Sequence, residues 1–178
     1  ASDSRMLITR VQMSDAALLR DFAERTFRLA YEDQNDPDDF RDYCDKNFHL
    51  TQVEAEILHP QSAFWFAHLD EQLVAYIKLN FDHHTPYLHS ERTVQVERIY
   101  VDPAFQRRRI GEQMLDFAYE QARLAGAEWL WLSVWQANPP AVRFYERCGY
   151  QIFGTEVFVV GKDEQLDWLM KREVRGEK

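Results

Sequence analysis

The sequence predicts an α/β protein whose strands form one mixed layer, as opposed to a doubly wound parallel sheet. Three observations predict it. Strand-like and helix-like apolar periods both occur along the chain. Three strand-like runs follow one another in its middle without helices between them, and strand–helix alternation begins only afterwards. No repeat, low-complexity tract or linker interrupts the 178 residues, so a single domain over residues 1–178 is expected. A chain of this length buries roughly 70% of its unfolded surface and needs neither disulfide nor metal to stay folded.

The elements are justified in order. Met6 to Val11 carries the short apolar pattern of a first strand, and Ser14 reads as a helix cap ahead of Leu18, Phe22 and Leu29 on one face. Asp36-Pro37-Asp38-Asp39 starts a second helix, with a capping carboxylate, proline in the first turn and acidic residues at the positive dipole end. Phe40, Tyr43 and Phe48 supply its buried side, and a short helix spans Val53 to Leu58 before Pro60. Phe64–Leu69 and Leu73–Phe81 form a hairpin across Asp70-Glu71-Gln72, and a third strand runs from Thr93 to Val101 until Pro103 ends it. A helix from Arg109 to Ala125 turns Ile110, Met114, Leu115, Phe117 and Ala118 inward and stops at Gly126. Then come a strand from Glu128 to Val134, a helix from Pro139 to Arg147 with Gly149 as its stop, and strands near Gln151–Val160 and Asp167–Glu173.

Composition excludes several functions. A net charge of -9 argues against nucleic acid, which requires a cationic face. No apolar run reaches the roughly 20 residues of a membrane span, and no signal peptide is expected. Cys44 and Cys148 lie far apart and outside metal-ligand spacing, which suits reduced thiols in a cytoplasmic protein. His83, His84 and His89 share a polar loop without a common spacing, so no metal is expected. Trp129, Trp131 and Trp135 alternate along one strand face and read as sheet packing, with Trp135 close enough to Asn138 to line a cleft.

Two segments carry chemistry. VERIYVDPAFQRRRIGEQML, Val96 to Leu115, ends a strand, turns at Asp102-Pro103 and enters a helix through Gln106 to Gly111. Free amides at a helix start and the arginines Arg107, Arg108 and Arg109 make an anion site, although a solvated basic turn has the same composition. SVWQANPPAVRFYERCGYQIFG, Ser133 to Gly154, places Asn138 between a strand and a short helix that bears Phe144 and Tyr145. Taken alone, Tyr145 reads as a half-buried helix residue.

In this order and at this separation the two segments resemble the GNAT superfamily of acyl-CoA N-acetyltransferases. The first resembles its Gln/Arg-x-x-Gly-x-Gly/Ala loop, with Arg109 where the family has its first glycine; the second resembles its Asn-plus-Phe-Tyr helix. ERIYV, Phe153-Gly154, Asp167-Trp168-Leu169-Met170 and the pattern from Thr26 to Cys44 are similar to bacterial spermidine/spermine N-acetyltransferases of the PaiA type. The resemblance implies a mostly antiparallel sheet with a splayed parallel strand pair and helices on both faces. It implies acetyl-CoA as cosubstrate, with its pyrophosphate on Gln106, Arg107, Arg108, Arg109, Ile110 and Gly111. The pantetheine arm would lie along Ile99, Tyr100 and Val101, with Asn138 fixing it. Glu97 would be the base, or else an ion-pair partner of Arg98 or another basic neighbour; Tyr145 would be the acid that protonates the CoA sulfur. Cys148 is an acyl carrier only in principle. Glu32, Asp33 and Asp36, with Asp38 and Asp39 beside them, would meet a cationic amine, unless Asp36, Asp38 and Asp39 serve only as helix-start residues. The expected reaction is direct acetyl transfer to a primary amine, a polyamine such as spermidine or spermine first. A protein N-terminus or lysine as acceptor, or a non-catalytic CoA-binding module, are the alternatives, and the resemblance makes a homodimer possible.

Overall fold

The computed structural model describes residues 6–81, 85, 87–90 and 92–175. Among these residues, seven strands form one sheet in the order β1-β2-β3-β4-β5-β7-β6. They are β1 (Met6–Arg10), β2 (Ser62–Leu69), β3 (Gln72–Asn80), β4 (Thr93–Val101), β5 (Trp129–Trp135), β6 (Gln151–Val160) and β7 (Asp163–Glu173). Every neighbouring pair is antiparallel except β4 and β5. The helices are α1 (Ala16–Tyr31), α2 (Pro37–Asn47), α3 (Leu50–Leu58), α4 (Ile110–Leu124) and α5 (Pro139–Arg147).

The two-residue alternation of the strands sorts the core onto both faces. Phe64, Phe66 and Tyr76 pack with α1–α3 around Phe27 and Phe40, whereas Trp65, Ala67, Ala75 and Ile77 join Ile110, Met114 and Leu115 of α4. The β2–β3 turn is made by Asp70 (φ 50°) and Glu71 (φ 70°), the two positive φ values that a tight hairpin following the sheet twist requires. Asp36 caps α2 as expected, its Oδ2 accepting the Asp39 N–H at 3.0 Å.

Two expectations change. Ser14 caps nothing: it lies inside a 3₁₀ turn, Met13–Asp15, that precedes α1, and there the Gln12 N–H donates to Asp15 Oδ2 at 2.9 Å. That extra turn resets the helical phase, so Ala16, Leu19, Phe22, Ala23 and Phe27 face the core while Leu18 and Leu29 are 49% and 61% exposed. The last strand also starts earlier than expected, at Asp163, because its polar first residues pair with β6 through backbone alone.

Candidate active site

The parallel pair is short. β4 and β5 are in register from Thr93–Trp129 to Val96–Leu132 and no further, although β4 continues to Val101 along β3 and β5 to Trp135 along β7. The split coincides with an irregularity: Val96 pairs with Leu79 and Arg98 with Lys78, so Glu97 is an extra residue on β4. Such a bulge bends its strand and increases its twist, and the two strands part there. A cleft of about 1400 Å³ opens between them. Its walls include the strand edges at 97–101 and 133–135, whose backbone groups lack a strand partner across the gap. Buried backbone groups require partners, so this edge fits an extended, amide-bearing ligand laid down as an additional strand.

One end of the cleft is the loop into α4. Asp102 organises it: its Oδ1 accepts the Ala104 N–H at 3.0 Å and its Oδ2 meets Arg25 of α1 at 2.9 Å. Burial alone would raise the Asp102 pKa, but these bonds and the Arg25 charge hold it below the usual range. Arg107 and Arg109 both take left-handed φ values, 69° and 61°. Arg109 therefore occupies the conformation for which glycine is suited, and it does so as the residue before Ile110, the first of α4. The free N–H groups of the first α4 turn and its positive dipole end define an anion-binding position. Gln106, Arg107, Arg109, Ile110 and Gly111 line the cleft. Arg109 also reaches Glu112 at 3.0 Å, while Arg108 lies over the Phe105 ring at 5.6 Å, outside the lining. A Cβ at Gly111 would stand 3.3 Å from Phe144 Cζ, so glycine lets the start of α4 approach α5 closely.

Helix α5 supplies the far wall. Asn138 caps it, Oδ1 accepting the Ala141 N–H at 3.4 Å, which leaves the Nδ2 amide for a ligand. Tyr145 is half-buried between Phe144 and Tyr150, with centroids at 5.4 and 6.0 Å. Burial first, then Tyr31 and Cys148 nearby, push its phenol well above the ordinary tyrosine value, so it keeps its proton at neutral pH. Burial likewise raises the Cys148 thiol, which disfavours the thiolate an acyl carrier would need.

Glu97 is enclosed in an ionic network. The bulge breaks the in–out alternation, so two consecutive residues reach the same buried pair: Glu97 Oε2 meets Lys78 at 2.7 Å, and Arg98 meets Glu56 at 3.3 Å. Lys78 and Glu56 are themselves 2.6 Å apart, and Asn80 Nδ2 donates to Glu97 Oε1 at 3.1 Å. Burial alone would raise the Glu97 pKa, but Arg98, Lys78 and the bonds from Lys78 and Asn80 outweigh it and hold the carboxyl below its usual range.

Beyond Glu97 the cleft becomes aromatic and acidic. Phe27, Tyr31, Tyr43 and Phe158 line it together with Glu156 and Asp167. Tyr31 and Tyr100 share a side-chain hydrogen bond, and Tyr31 lies against Trp135 at 6.0 Å. Asn35 Oδ1 accepts from Gln165 Nε2 at 2.8 Å, tying the α1–α2 connection to β7.

Of the residues expected from sequence, Glu97, Ile99, Tyr100, Val101, Asn138 and Tyr145 converge on this cleft together with the loop residues just named. Glu32, Asp33 and Asp36 do not. Glu32 and Asp33 border a separate shallow depression on α1, where Glu32 faces Arg28 at 3.7 Å, and Asp36 is spent on its helix cap. His83 and His84 lie outside the described residues. Asp167, Glu156 and the Tyr31 hydroxyl were given no role in the site from sequence, although Asp167 opens the Asp167–Met170 stretch of the resemblance. The available signal was on β7, where Asp167 shares a face with the fully buried Leu169 two residues on.

A mixed sheet split at a parallel pair, with a helix start suited to an anion on one side and a protonated tyrosine on the other, fits an acyl-CoA-dependent transferase. Residues 17–150 match the acetyltransferase (GNAT) family, and the chain belongs to it. It is 32% identical over 165 residues to an uncharacterised N-acetyltransferase of Lactobacillus delbrueckii subsp. lactis, covering 93% of this chain and 95% of that protein. Among solved structures it resembles the PaiA N-acetyltransferase of Thermoplasma acidophilum in complex with coenzyme A (TM-score 0.74, 18% identity, 95% and 99% of the two chains). It also resembles a spermidine N-acetyltransferase chimaera derived in part from Vibrio cholerae (TM-score 0.71, 18% identity, 96% of both chains). At these identities the two structural likenesses show the fold. Among the described residues no helix is long and apolar enough to cross a membrane.

Proposed function

We propose that the protein transfers the acetyl group of acetyl-CoA to a small cationic primary amine, with polyamines such as spermidine or spermine as the leading class. The observation that carries this reading is the composition of the cleft beyond Glu97. Carboxylates on three strands, Glu97, Glu156 and Asp167, stand among the aromatic side chains of Phe27, Tyr31, Tyr43 and Phe158. Ammonium groups are stabilised by carboxylates and by ring faces, and methylene spacers pack on the rings. Countercharge for the acceptor thus comes from the sheet, in place of the acidic segment between α1 and α2.

The cosubstrate supplies an activated acetyl thioester. Its fit rests on the unpaired edges of β4 and β5 and on the α4 start. The Gln106–Gly111 segment would hold the pyrophosphate, the 99–101 edge the pantetheine, and Asn138 Nδ2 a pantetheine carbonyl. Tyr145 retains its proton and donates it to the departing sulfur. Glu97, charged and fixed by Lys78 and Asn80, stabilises the ammonium as it arrives. Holding both reactants in one cleft provides the proximity on which direct transfer depends.

The test is CoA release from acetyl-CoA with spermidine, spermine, putrescine, lysine, an aminoglycoside and a peptide with a free N-terminus. Fastest turnover on spermidine or spermine supports the reading. Turnover on the peptide alone would replace the polyamine by a protein acceptor, and absence of turnover throughout would overturn amine acetylation.

A further inference from the structure

We infer that Asp167 of β7, and not Glu97, receives the proton of the incoming amine. The inference rests on the amine-acetylation reading above and assigns its base. Both oxygens of Glu97 are engaged, Oε2 by Lys78 at 2.7 Å and Oε1 by Asn80 at 3.1 Å. A carboxylate so held has little capacity left for a proton. Asp167 lines the same cleft, and its Oδ1 is buried with no hydrogen-bond partner among the described residues. An unsatisfied buried carboxylate oxygen is costly to maintain, and an N–H donor from the substrate would satisfy it.

Among the described residues no cation holds the charge of Asp167: the one charged group that acts on it is Glu156. Its strand partners are Trp135 on β5 and Glu156 on β6. Tyr31 of α1 is close enough to interact with it electrostatically, and Tyr31 bonds Tyr100 of β4. Among the described residues, the titratable groups facing it are therefore Glu156, Tyr31 and, through Tyr31, Tyr100. Burial first and Glu156 second push its pKa up to about 6. A base gains efficiency as its pKa approaches the operating pH, and this value is roughly two pK units nearer to an alkyl ammonium than an ordinary aspartate. Tyr31 also interacts with Tyr145, so the proposed base and acid bracket one tyrosine.

The step balances as follows. One N–H bond of the ammonium breaks and its proton passes to Asp167. The freed nitrogen pair forms the C–N bond to the thioester carbonyl carbon, and the C–S bond breaks as Tyr145 protonates the sulfur. The second nitrogen proton restores Tyr145 and Asp167 releases its own to water, so each ammonium acetylated yields one amide, one thiol and one proton.

The experiment is the pH dependence of kcat/KM for wild type, D167N, D167E and E97Q, using the fastest amine of the panel above, with acetyl-CoA binding measured by calorimetry. The wild type is expected to lose activity below an apparent pKa near 6. D167N is expected to lose that acidic limb and on the order of 100-fold in kcat/KM with acetyl-CoA affinity unchanged, D167E to recover part of the rate, and E97Q to keep the limb. A limb kept in D167N, or lost in E97Q alone, would overturn the inference while leaving amine acetylation in place. Absence of turnover by the wild type would overturn both. If D167N does not fold, ¹³C NMR of the wild-type aspartate carboxyls decides: a midpoint near 6 supports the assignment, and none above about 5 refutes it.

Discussion

Replacing Asp167 by asparagine is expected to stabilise the fold at neutral pH, apart from any effect on turnover. Its carboxyl is raised from an ordinary 3.8 to about 6, by burial and then by Glu156. Between those values the folded chain binds more protons than the unfolded one, so stability falls as pH rises from about 4 to about 6 and stays reduced above that. Two pK units correspond to about 3 kcal/mol. Asp167 is only partly buried, and solvent screening reduces this to about 1 kcal/mol. For a chain of this size that equals roughly 2–4 °C in Tm. Asparagine keeps the shape without the charge, so D167N should melt higher than wild type at pH 7.5, with the gap closing on the way down to pH 4. Thermal unfolding followed by circular dichroism at pH 4, 5, 6 and 7.5 measures it. A lower Tm for D167N at pH 7.5, or a gap independent of pH, would refute the picture of a destabilised, unpartnered carboxylate.

Three further outcomes are expected. Tyr145→Phe should lower kcat on the order of 100-fold and leave acetyl-CoA affinity nearly unchanged, as separate turnover and calorimetric measurements would show. Lys78→Met leaves Glu56 and Glu97 with Arg98 as their remaining cation and should destabilise the fold by about 3 kcal/mol in urea unfolding. Arg109→Gly relaxes a left-handed residue at the start of α4 and removes a guanidinium from the loop proposed to hold the pyrophosphate, so acetyl-CoA affinity should fall, and depend less on salt, without loss of thermal stability.

The sequence was most readable where an element carries its own end signals. β4, α5 and β6 span the residues expected, because Pro103, Pro139 and Gly149 punctuate them. Where the ends depend on tertiary partners it was less so. The phase of α1 turned on a 3₁₀ turn whose Gln12–Asp15 bond has no strong sequence signature, and β7 gained its first residues only because β6 lies beside it. The CoA half of the site was equally readable: Gln106 to Gly111 is one continuous stretch in which loop, helix start and charge are neighbours in sequence. The acceptor half is assembled across the sheet. Asp167 meets Trp135 and Glu156 only through strand pairing, and Tyr31 reaches them from the end of α1. The acidic segment from Glu32 to Asp39 drew attention because its charges cluster in sequence, yet the cluster serves helix starts and ion pairs.

The bulge at Glu97 connects the two halves. Without an extra residue, β4 would keep its alternation, and Glu97 and Arg98 would point to opposite faces. With it, both side chains turn to Lys78 and Glu56, two cations and two anions that neutralise one another at the point where β4 leaves β5. The neutral cluster fixes the bend, and the bend leaves the 97–101 edge unpaired for a ligand. Fixing the bend also commits Glu97: a carboxylate that secures the opening of the cleft is held ionised, and its pKa is pushed away from that of a useful base. Asp167, across the opening and free of such duties, is the carboxylate whose environment favours taking up a proton.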